Sequence, residues 1–472
     1  MTIRFGTDGW RAITGWDFTA DNVRACAQGV ATYLHKAGLA QRGLVIGYDT
    51  RFASEDFAAE VAQVTTANGI PTFLCNAAAP TPVVSYNIIH RNAGGAVVIT
   101  ASHNPAKWNG FKYKPDYAGS ASTEVVVALE KEINQALGED IPSLSHVEAR
   151  GRGLLEEIEA ATPYLNHIAK LVDIAAIKNS GLNIGIDAMY GAGAGYLSRL
   201  LEGGTARVTE LHGERNPLFP GMQQPEPVAH NLTGLSEWVV SNKGDIGIAL
   251  DADADRVGLV DEHGRFITTL QTFALLALYL LDVRNERGPL VKSITTTQMI
   301  YRLGDLFDVP VHETAVGFKY LGSVMRSENA LVAGEESGGY AFRGHIPERD
   351  GILSGLFLLD MVVKTGKRPS QLLDYLFSKV GPHHFDRLDV PFAPEDRGGT
   401  EARVASQRPG SLGGKKVLRR DEIDGTRFSL DEGAWVLVRF SGTEPLLRIY
   451  AEAESVEQVA RLIDEARSLA GV

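Results

Sequence analysis

Three times in the first 345 residues a short apolar, β-branched run ends abruptly in an unusual polar loop, and each time the run is the third of three strand-like segments. The first unit reads GLVIGYDTR (43–51), PTFLCNAA, then AGGAVVITASHNP (93–105). The second reads LNIGIDAMYGAG (182–193), ARVTELHG (206–213), then GDIGIALDADADR (244–256). The third uses SITTTQ (293–298), VPVHETAVGFKY (309–320), then ALVAGEESGGYAF (330–342). Strands alternating with helix-compatible stretches predict α/β layers, and ligands of open parallel sheets bind beyond the carboxyl ends of the strands. The three polar loops are therefore the predicted site builders. Their unequal spacing argues against a solenoid and for separately elaborated domains.

Beyond about residue 380 the pattern changes. RFSLDEGAWVLVRFSGTEPLLRIYAEAES alternates apolar and polar positions as strands do, and VEQVARLIDEARSLA has the spacing of an amphipathic helix, so a smaller α+β unit is expected there. The stretch 392–416 reads as an exposed insertion or long loop, and linkers are expected near 150–160 and 380. At 472 residues the chain has room for three or four domains.

Charge and cysteine content narrow the function. A formal charge of −12 has the wrong sign for holding nucleic acid by counterion release, so any anionic ligand must be met by a few placed Arg and Lys side chains. Two cysteines, Cys26 and Cys75, cannot form a disulfide framework. No apolar run approaches the roughly 20 residues that span a bilayer and no leader precedes the first strand, so a cytoplasmic enzyme with no membrane partner is expected.

The loops carry the chemistry. In LDADADRVGLV, Asp251, Asp253 and Asp255 stand two apart, and in an extended segment they face one way. Carboxylates so close repel unless an oxygen-seeking cation is shared between them. An EF-hand is disfavoured because Arg256 stands where its turn needs Gly and the flanks are strand-like. Arg256 itself would hold a substrate phosphate or merely offset the local negative charge. TASHNP sets Ser102 at a strand end beside His103, without the G-x-S-x-G elbow of a serine hydrolase. Joined to three carboxylates, that serine suits a phosphoryl carrier. GEESGG offers Glu335 and Ser337 for sugar hydroxyls, and RFSGTEPLLR offers Arg439, Ser441, Thr443 and Arg448 for a phosphate cradle. The Walker A pattern is absent, and Tyr196 breaks the dinucleotide fingerprint in GAGAGY.

Taken in order, FGTDGWRA (5–12), GYDTR (47–51), TASHNP, DADADR, GEESGG and RFSGTEP resemble the α-D-phosphohexomutase family, of phosphoglucomutase/phosphomannomutase type, across essentially the whole chain. The resemblance implies a heart-shaped protein: three related α/β mixed-sheet sandwich domains (1–158, 159–260 and 261–380), a C-terminal TATA-binding-protein-like α+β domain (381–472), and a central cleft. It implies that Ser102 is the phosphoserine and binds Mg²⁺ together with Asp251, Asp253 and Asp255. Glu335 and Ser337 would hold the sugar, and Arg439, Ser441, Gly442 and Thr443 the non-reacting phosphate. Arg11, His103, Lys112, Arg256 and Lys319 would surround the transferred group or the phosphosugar. Whether His103 or Lys112 moves the hydroxyl proton stays open.

The implied reaction interconverts hexose 1-phosphate and hexose 6-phosphate through glucose 1,6-bisphosphate or its equivalent. Gly339 and VGFKY lean toward glucose phosphate, with mannose phosphate second and glucosamine phosphate third. A glucose 1,6-bisphosphate synthase is a further alternative. A metal-dependent phosphatase using an Asp nucleophile and a non-catalytic sugar-phosphate binder are the rivals from other classes. The sequence leaves monomer and dimer open.

Overall fold

The computed structural model describes residues 2–6, 8–392, 394–441 and 446–472. Each of the three predicted units builds a sheet with one shared strand order: second, first, third, then a return strand antiparallel to the third. In the first sheet this order runs Thr72–Cys75, Leu44–Tyr48, Gly95–Ile99 and Trp108–Pro115. In the second it runs Arg207–Leu211, Asn183–Asp187, Ile246–Leu250 and Val257–Val260. In the third it runs Val311–Thr314, Leu290–Ser293, Val332–Gly334 and Tyr340–Phe342, so the first strand ends where the expected segment SITTTQ (293–298) begins, and most of that segment is the turn beyond it. The first three strands of each unit pair in parallel, as helical crossovers require. The third strand is buried at every residue in all three sheets, which explains its continuous apolar run.

That topology fixes the site. The loop between third and return strands leaves the carboxyl end of a central strand, and in the three sheets it carries Ser102, the aspartate triad and Glu335. Edge strands differ between sheets: Trp10–Ile13 adds antiparallel to Trp108–Pro115, and Leu155–Ile158 adds parallel to Thr72–Cys75. The expected linker at 150–160 is thus partly sheet, because Leu155 and Ile158 bury their side chains in the first unit.

One apolar core runs without a break from Val45 and Val98 of the first sheet through Ile186 and Ile248 of the second to Leu290 and Val332 of the third. Its centre is the helix Gly351–Thr365, buried on nearly every face. Asp350 caps that helix, its Oδ1 accepting from the Leu353 N–H at 2.8 Å, a bond of a kind worth about 1 kcal/mol. No helix among the described residues is long and apolar enough to cross a membrane.

The C-terminal unit is an antiparallel sheet in the order His384–Pro391, Leu446–Ala453, Trp435–Phe440, Thr426–Leu430, Lys415–Asp421, Ser411–Leu412. The helix Val456–Ala470 covers it through Val459, Leu462, Ile463, Ala466 and Ala470, an i, i+3, i+4, i+7, i+11 stripe. The stretch read as a long loop contains a helix, Arg397–Ser406. Two glycines in its first turn and a single buried side chain, Val404, hide it from a periodicity argument. Trp435, Leu437 and Tyr450 pack on Ile294 of the third unit, and Arg427 grips Glu313 there with bonds of 2.7 and 2.6 Å.

Candidate active site

The serine loop is held by buried polar groups of the GYDTR segment. Ser102 lies at φ +50°, a left-handed conformation that costs a non-glycine residue free energy and persists only when its surroundings impose it. Its N–H donates to Thr100 Oγ1 (2.8 Å), and that hydroxyl donates to Asp49 Oδ2 (2.5 Å). Arg51 is wholly buried and donates to four carbonyls of the loop: Ser102 (2.5 Å), Asn104 (2.6 Å), Pro105 (3.0 Å) and Trp108 (3.1 Å). Its charge is balanced by Asp49 at 3.2 Å and covered by the Phe219 ring at 5.0 Å.

The aspartates sit in a turn, which corrects the extended reading. Ala254 N donates to Asp251 O (2.9 Å), and Ala254 is itself left-handed at φ +53°. The turn folds the three carboxylates inward, so that one oxygen of each lies within 4.8 Å of the others. All three are fully buried. Ser102 Oγ donates to Asp251 Oδ2 at 2.9 Å, joining first and second units at the predicted pair.

The charge balance around this turn is uneven. Asp253 Oδ2 accepts from Thr81 Oγ1 (2.6 Å) and Lys112 Nζ (2.8 Å). Burial would raise its pKa, but the Lys112 charge and these bonds pull it well below the usual carboxylate range. Asp251 goes the other way, raised by burial and by the charges of Asp253 and Asp255. Oδ1 of Asp253 and Oδ1 of Asp255 are buried with no hydrogen-bond partner. Unsatisfied buried carboxylate oxygens are costly, and a hard divalent cation among oxygen ligands would satisfy them. The donor set fits Mg²⁺.

The remaining predicted residues divide. His103 Nδ1 faces Ser102 Oγ at 3.5 Å, and burial followed by the charges of Arg256 and Arg11 holds the imidazole well below its ordinary pKa. Arg11 donates to Asn104 Oδ1 at 2.6 Å. Lys112 meets Asp253, Asp8 (3.1 Å) and Asp255 (3.5 Å), which keep it ammonium against the opposing effect of burial. Arg256 pairs with Glu226 at 2.5 Å. Glu335 accepts from the Gly317 N–H at 2.9 Å, and burial raises its pKa. Ser337 is half-buried in the same loop, and the Lys319 ammonium lies 5.1 Å from the Tyr320 ring centroid. In the C-terminal sheet Arg439 and Arg448 stand directly opposite each other, and Arg439 meets Asp424 at 2.9 Å. Ser441 N donates to Leu446 O (2.9 Å) at the end of that hairpin; Gly442 and Thr443 lie outside the described residues.

Sequence reasoning missed a buried charge network beside the triad. Arg349 pairs with Asp255 (2.7 Å) and Asp8 (2.8 Å), while Lys114 pairs with Asp8 (2.9 Å) and Glu348 (2.5 Å). The signal was present in two places. FGTDGW sets a lone acid between Phe5 and Trp10, and PERDGILSG runs three charges straight into an apolar helix. Arg349 also explains Gly339: a Cβ there would collide with Arg349 Cδ and stand 2.7 Å from its Cγ.

These contacts bring loops of the first three units into one charged, buried cluster, with the fourth attached through an Arg387–Glu336 pair at 2.9 Å. Family models for phosphoglucomutase/phosphomannomutase match as alpha/beta/alpha domain I (residues 2–139), domain II (162–264), domain III (270–380) and the C-terminal domain (396–469). A phosphoglucomutase/phosphomannomutase of Thermococcus kodakarensis is 32% identical over 98% of this chain and 96% of its own length. A phosphoglucosamine mutase of Frankia alni is 30% identical over 100% of this chain and 98% of its own. A solved structure described as a phosphomannomutase, from Thermus thermophilus, superposes with a TM-score of 0.86 at 31% identity, covering all of both chains. The chain belongs to the phosphoglucomutase/phosphomannomutase family of α-D-phosphohexomutases, isomerases that act by phosphoryl transfer.

Proposed function

We propose that this protein interconverts hexose 1-phosphate and hexose 6-phosphate, glucose phosphate in preference, by way of a phosphoserine at Ser102 and a 1,6-bisphosphate intermediate. The observation that carries the reading is the Ser102 hydroxyl lying 2.9 Å from Asp251 inside the aspartate cluster, on a loop locked by Arg51. Asp251, Asp253 and Asp255, with the Ser102 oxygen, would hold Mg²⁺, which when bound neutralises charge on the phosphoryl group.

In the forward half-reaction the phosphorus–oxygen bond to Ser102 breaks as one forms to the free O1 or O6 hydroxyl of the sugar. His103 takes the proton of that hydroxyl. Its Nδ1 faces the serine oxygen, whereas the Lys112 ammonium is already shared among three carboxylates. The bisphosphate then turns over, its other phosphate passes to Ser102, and His103 returns the proton to the departing sugar oxygen. Arg11 and Arg256 flank the transferred group, and Lys319 the phosphosugar. Glu335 and Ser337 hold the sugar hydroxyls common to both orientations. Arg439, Ser441, Gly442, Thr443 and Arg448 hold whichever phosphate is not reacting.

Relatives of similar identity carry names for different hexoses, so the sugar preference rests on the loops of this chain. Gly339 leaves the side of the sugar loop to Arg349, and GEESGG with VGFKY follows the glucose-phosphate style. Mannose differs from glucose only at C2, which a site reading O3 and O4 does not interrogate, so mannose phosphate is the second substrate. A coupled assay of glucose, mannose and glucosamine 1-phosphates, each with magnesium and a trace of its bisphosphate, tests this. Glucose 1-phosphate should turn over fastest. A higher kcat/KM on glucosamine 1-phosphate would overturn the preference.

A further inference from the structure

Glu336 lies between the two proposed sugar ligands, yet its side chain leaves the sugar loop altogether. Its carbonyl is fixed by Thr269 Oγ1 at 2.6 Å, and its Oε1 takes Arg387 Nη1 at 2.9 Å. Arg387 belongs to the first strand of the C-terminal sheet, His384–Pro391. The same guanidinium reaches Asp389 two residues on: Nε lies 3.1 Å from Oδ1, and that oxygen lies 3.7 Å from Nε of Arg448. Asp389 and Arg448 are direct partners across the antiparallel ladder, as are Arg448 and Arg439 on the other side. A run of ion pairs therefore leads from the loop that carries Glu335 and Ser337 to Arg448 of the phosphate cradle, which faces Arg439 across the ladder. It crosses from the third unit to the fourth at one contact, Glu336–Arg387.

We infer that Glu336, Arg387 and Asp389 are positioning residues that set the spacing between the sugar loop and the phosphate cradle, so that a hexose ring and its non-reacting phosphate are gripped together. This deepens the proposed function and rests on it for the identity of the ligand. A guanidinium suits the task because its planar fork serves two carboxylates at once, while an ammonium offers one point of charge. The same pairs that hold the unliganded loop would orient the bound sugar phosphate, so their loss weakens binding more than it slows transfer at Ser102.

The test uses the full chain and the variants Arg387→Ala, Arg387→Lys, Glu336→Gln and the double variant Glu336→Gln/Arg387→Ala. Each alanine or glutamine change should raise KM for glucose 1-phosphate about fivefold, the most a partly exposed pair of this kind supports, and leave kcat within about twofold. The double variant should be no worse than either single one, and Arg387→Lys should fall between wild type and Arg387→Ala. In the unliganded protein, amide hydrogen exchange across 335–339 should quicken in Arg387→Ala. Multiplying KM effects in the double variant, or unchanged exchange across 335–339, would overturn the inference. The functional reading fails on a separate observation, a wild-type Ser102 that never takes up phosphate, and the exchange comparison is unaffected by that result.

Discussion

The hydroxyl of Ser102 and Oδ2 of Asp251 are 149 residues apart in the chain and 2.9 Å apart in space. Each sits in the loop after the third strand of its own sheet, and near each a residue is held left-handed, Ser102 itself and Ala254. Two copies of one strand–loop–strand device thus meet loop to loop, one supplying the oxygen and the other its acidic surroundings. Replacing Ser102 with alanine removes the carrier and its one bond to Asp251, while the bonds that hold the loop run through the backbone N–H and carbonyl and stay. We expect Ser102→Ala to keep the wild-type melting temperature within about 2 °C and to lose at least about a thousandfold in kcat, read by the coupled mutase assay.

Arg51 should behave in the opposite way. Its guanidinium is fully buried, pairs with Asp49 and donates to four loop carbonyls, so Arg51→Met leaves a buried carboxylate and four acceptors without their partner. Breaking a buried pair of this kind costs about 3–5 kcal/mol. Denaturant unfolding should show a loss of that size, accompanied by loss of activity. Wild-type stability in Arg51→Met would mean the loop is held by something else.

Thr81 supplies a narrower test of the acidic turn. Its hydroxyl donates to Asp253 Oδ2 at 2.6 Å from a helix of the first unit, Thr81–Arg91, and orients a carboxylate expected to ligate metal. Partners of this class typically carry about ten- to a hundredfold in metal affinity. Thr81→Val should weaken Mn²⁺ binding by about that factor in a titration followed by electron paramagnetic resonance, while Asp251→Asn should weaken it more.

The join between third and fourth units should loosen in acid. Burial would raise the Glu313 pKa, but Arg427 and Lys292 bring it down to about 2 from an ordinary 4.5. A depressed carboxylate contributes stability above its unfolded value, and that contribution is lost as pH falls from about 4.5 toward 2. The shift corresponds to about 3 kcal/mol at full effect. Glu313→Gln should remove this part of the acid sensitivity, measured as melting temperature against pH between 5 and 3, and should leave the shape of the profile above pH 5 as in the wild type.

Gly339 shows how a substrate-loop residue is dictated by its neighbour. Since a Cβ would collide with Arg349 Cδ and stand 2.7 Å from Cγ, Gly339→Ala must displace the arginine that pairs with Asp255 and Asp8. The overpacking cost is about 1–3 kcal/mol. Activity should fall with it, and Gly339→His should fall further.

Local pattern made the three repeated units and their loops readable, because a buried central strand needs a continuous apolar run and its end needs a turn. Ser102, Asp251, Asp253, Asp255 and Glu335 could be named for that reason. What the pattern could not reveal was pairing across units. Asp8, Lys114, Glu348 and Arg349 are ordinary charged residues until the fold buries them against one another. The turn geometry of the aspartates was likewise hidden, since Ala254 gives no sign in sequence of its positive φ. The helix Arg397–Ser406 escaped because packing of Val404, not propensity, keeps it in place.

The measurement that bears most directly on this account is intact and peptide mass spectrometry of the protein after incubation with glucose 1,6-bisphosphate and magnesium. The account predicts one added phosphoryl group, located on Ser102 and discharged again by excess glucose 1-phosphate or glucose 6-phosphate. An unmodified Ser102 under those conditions, or a stable phosphate on another residue alongside undiminished mutase turnover, would contradict it.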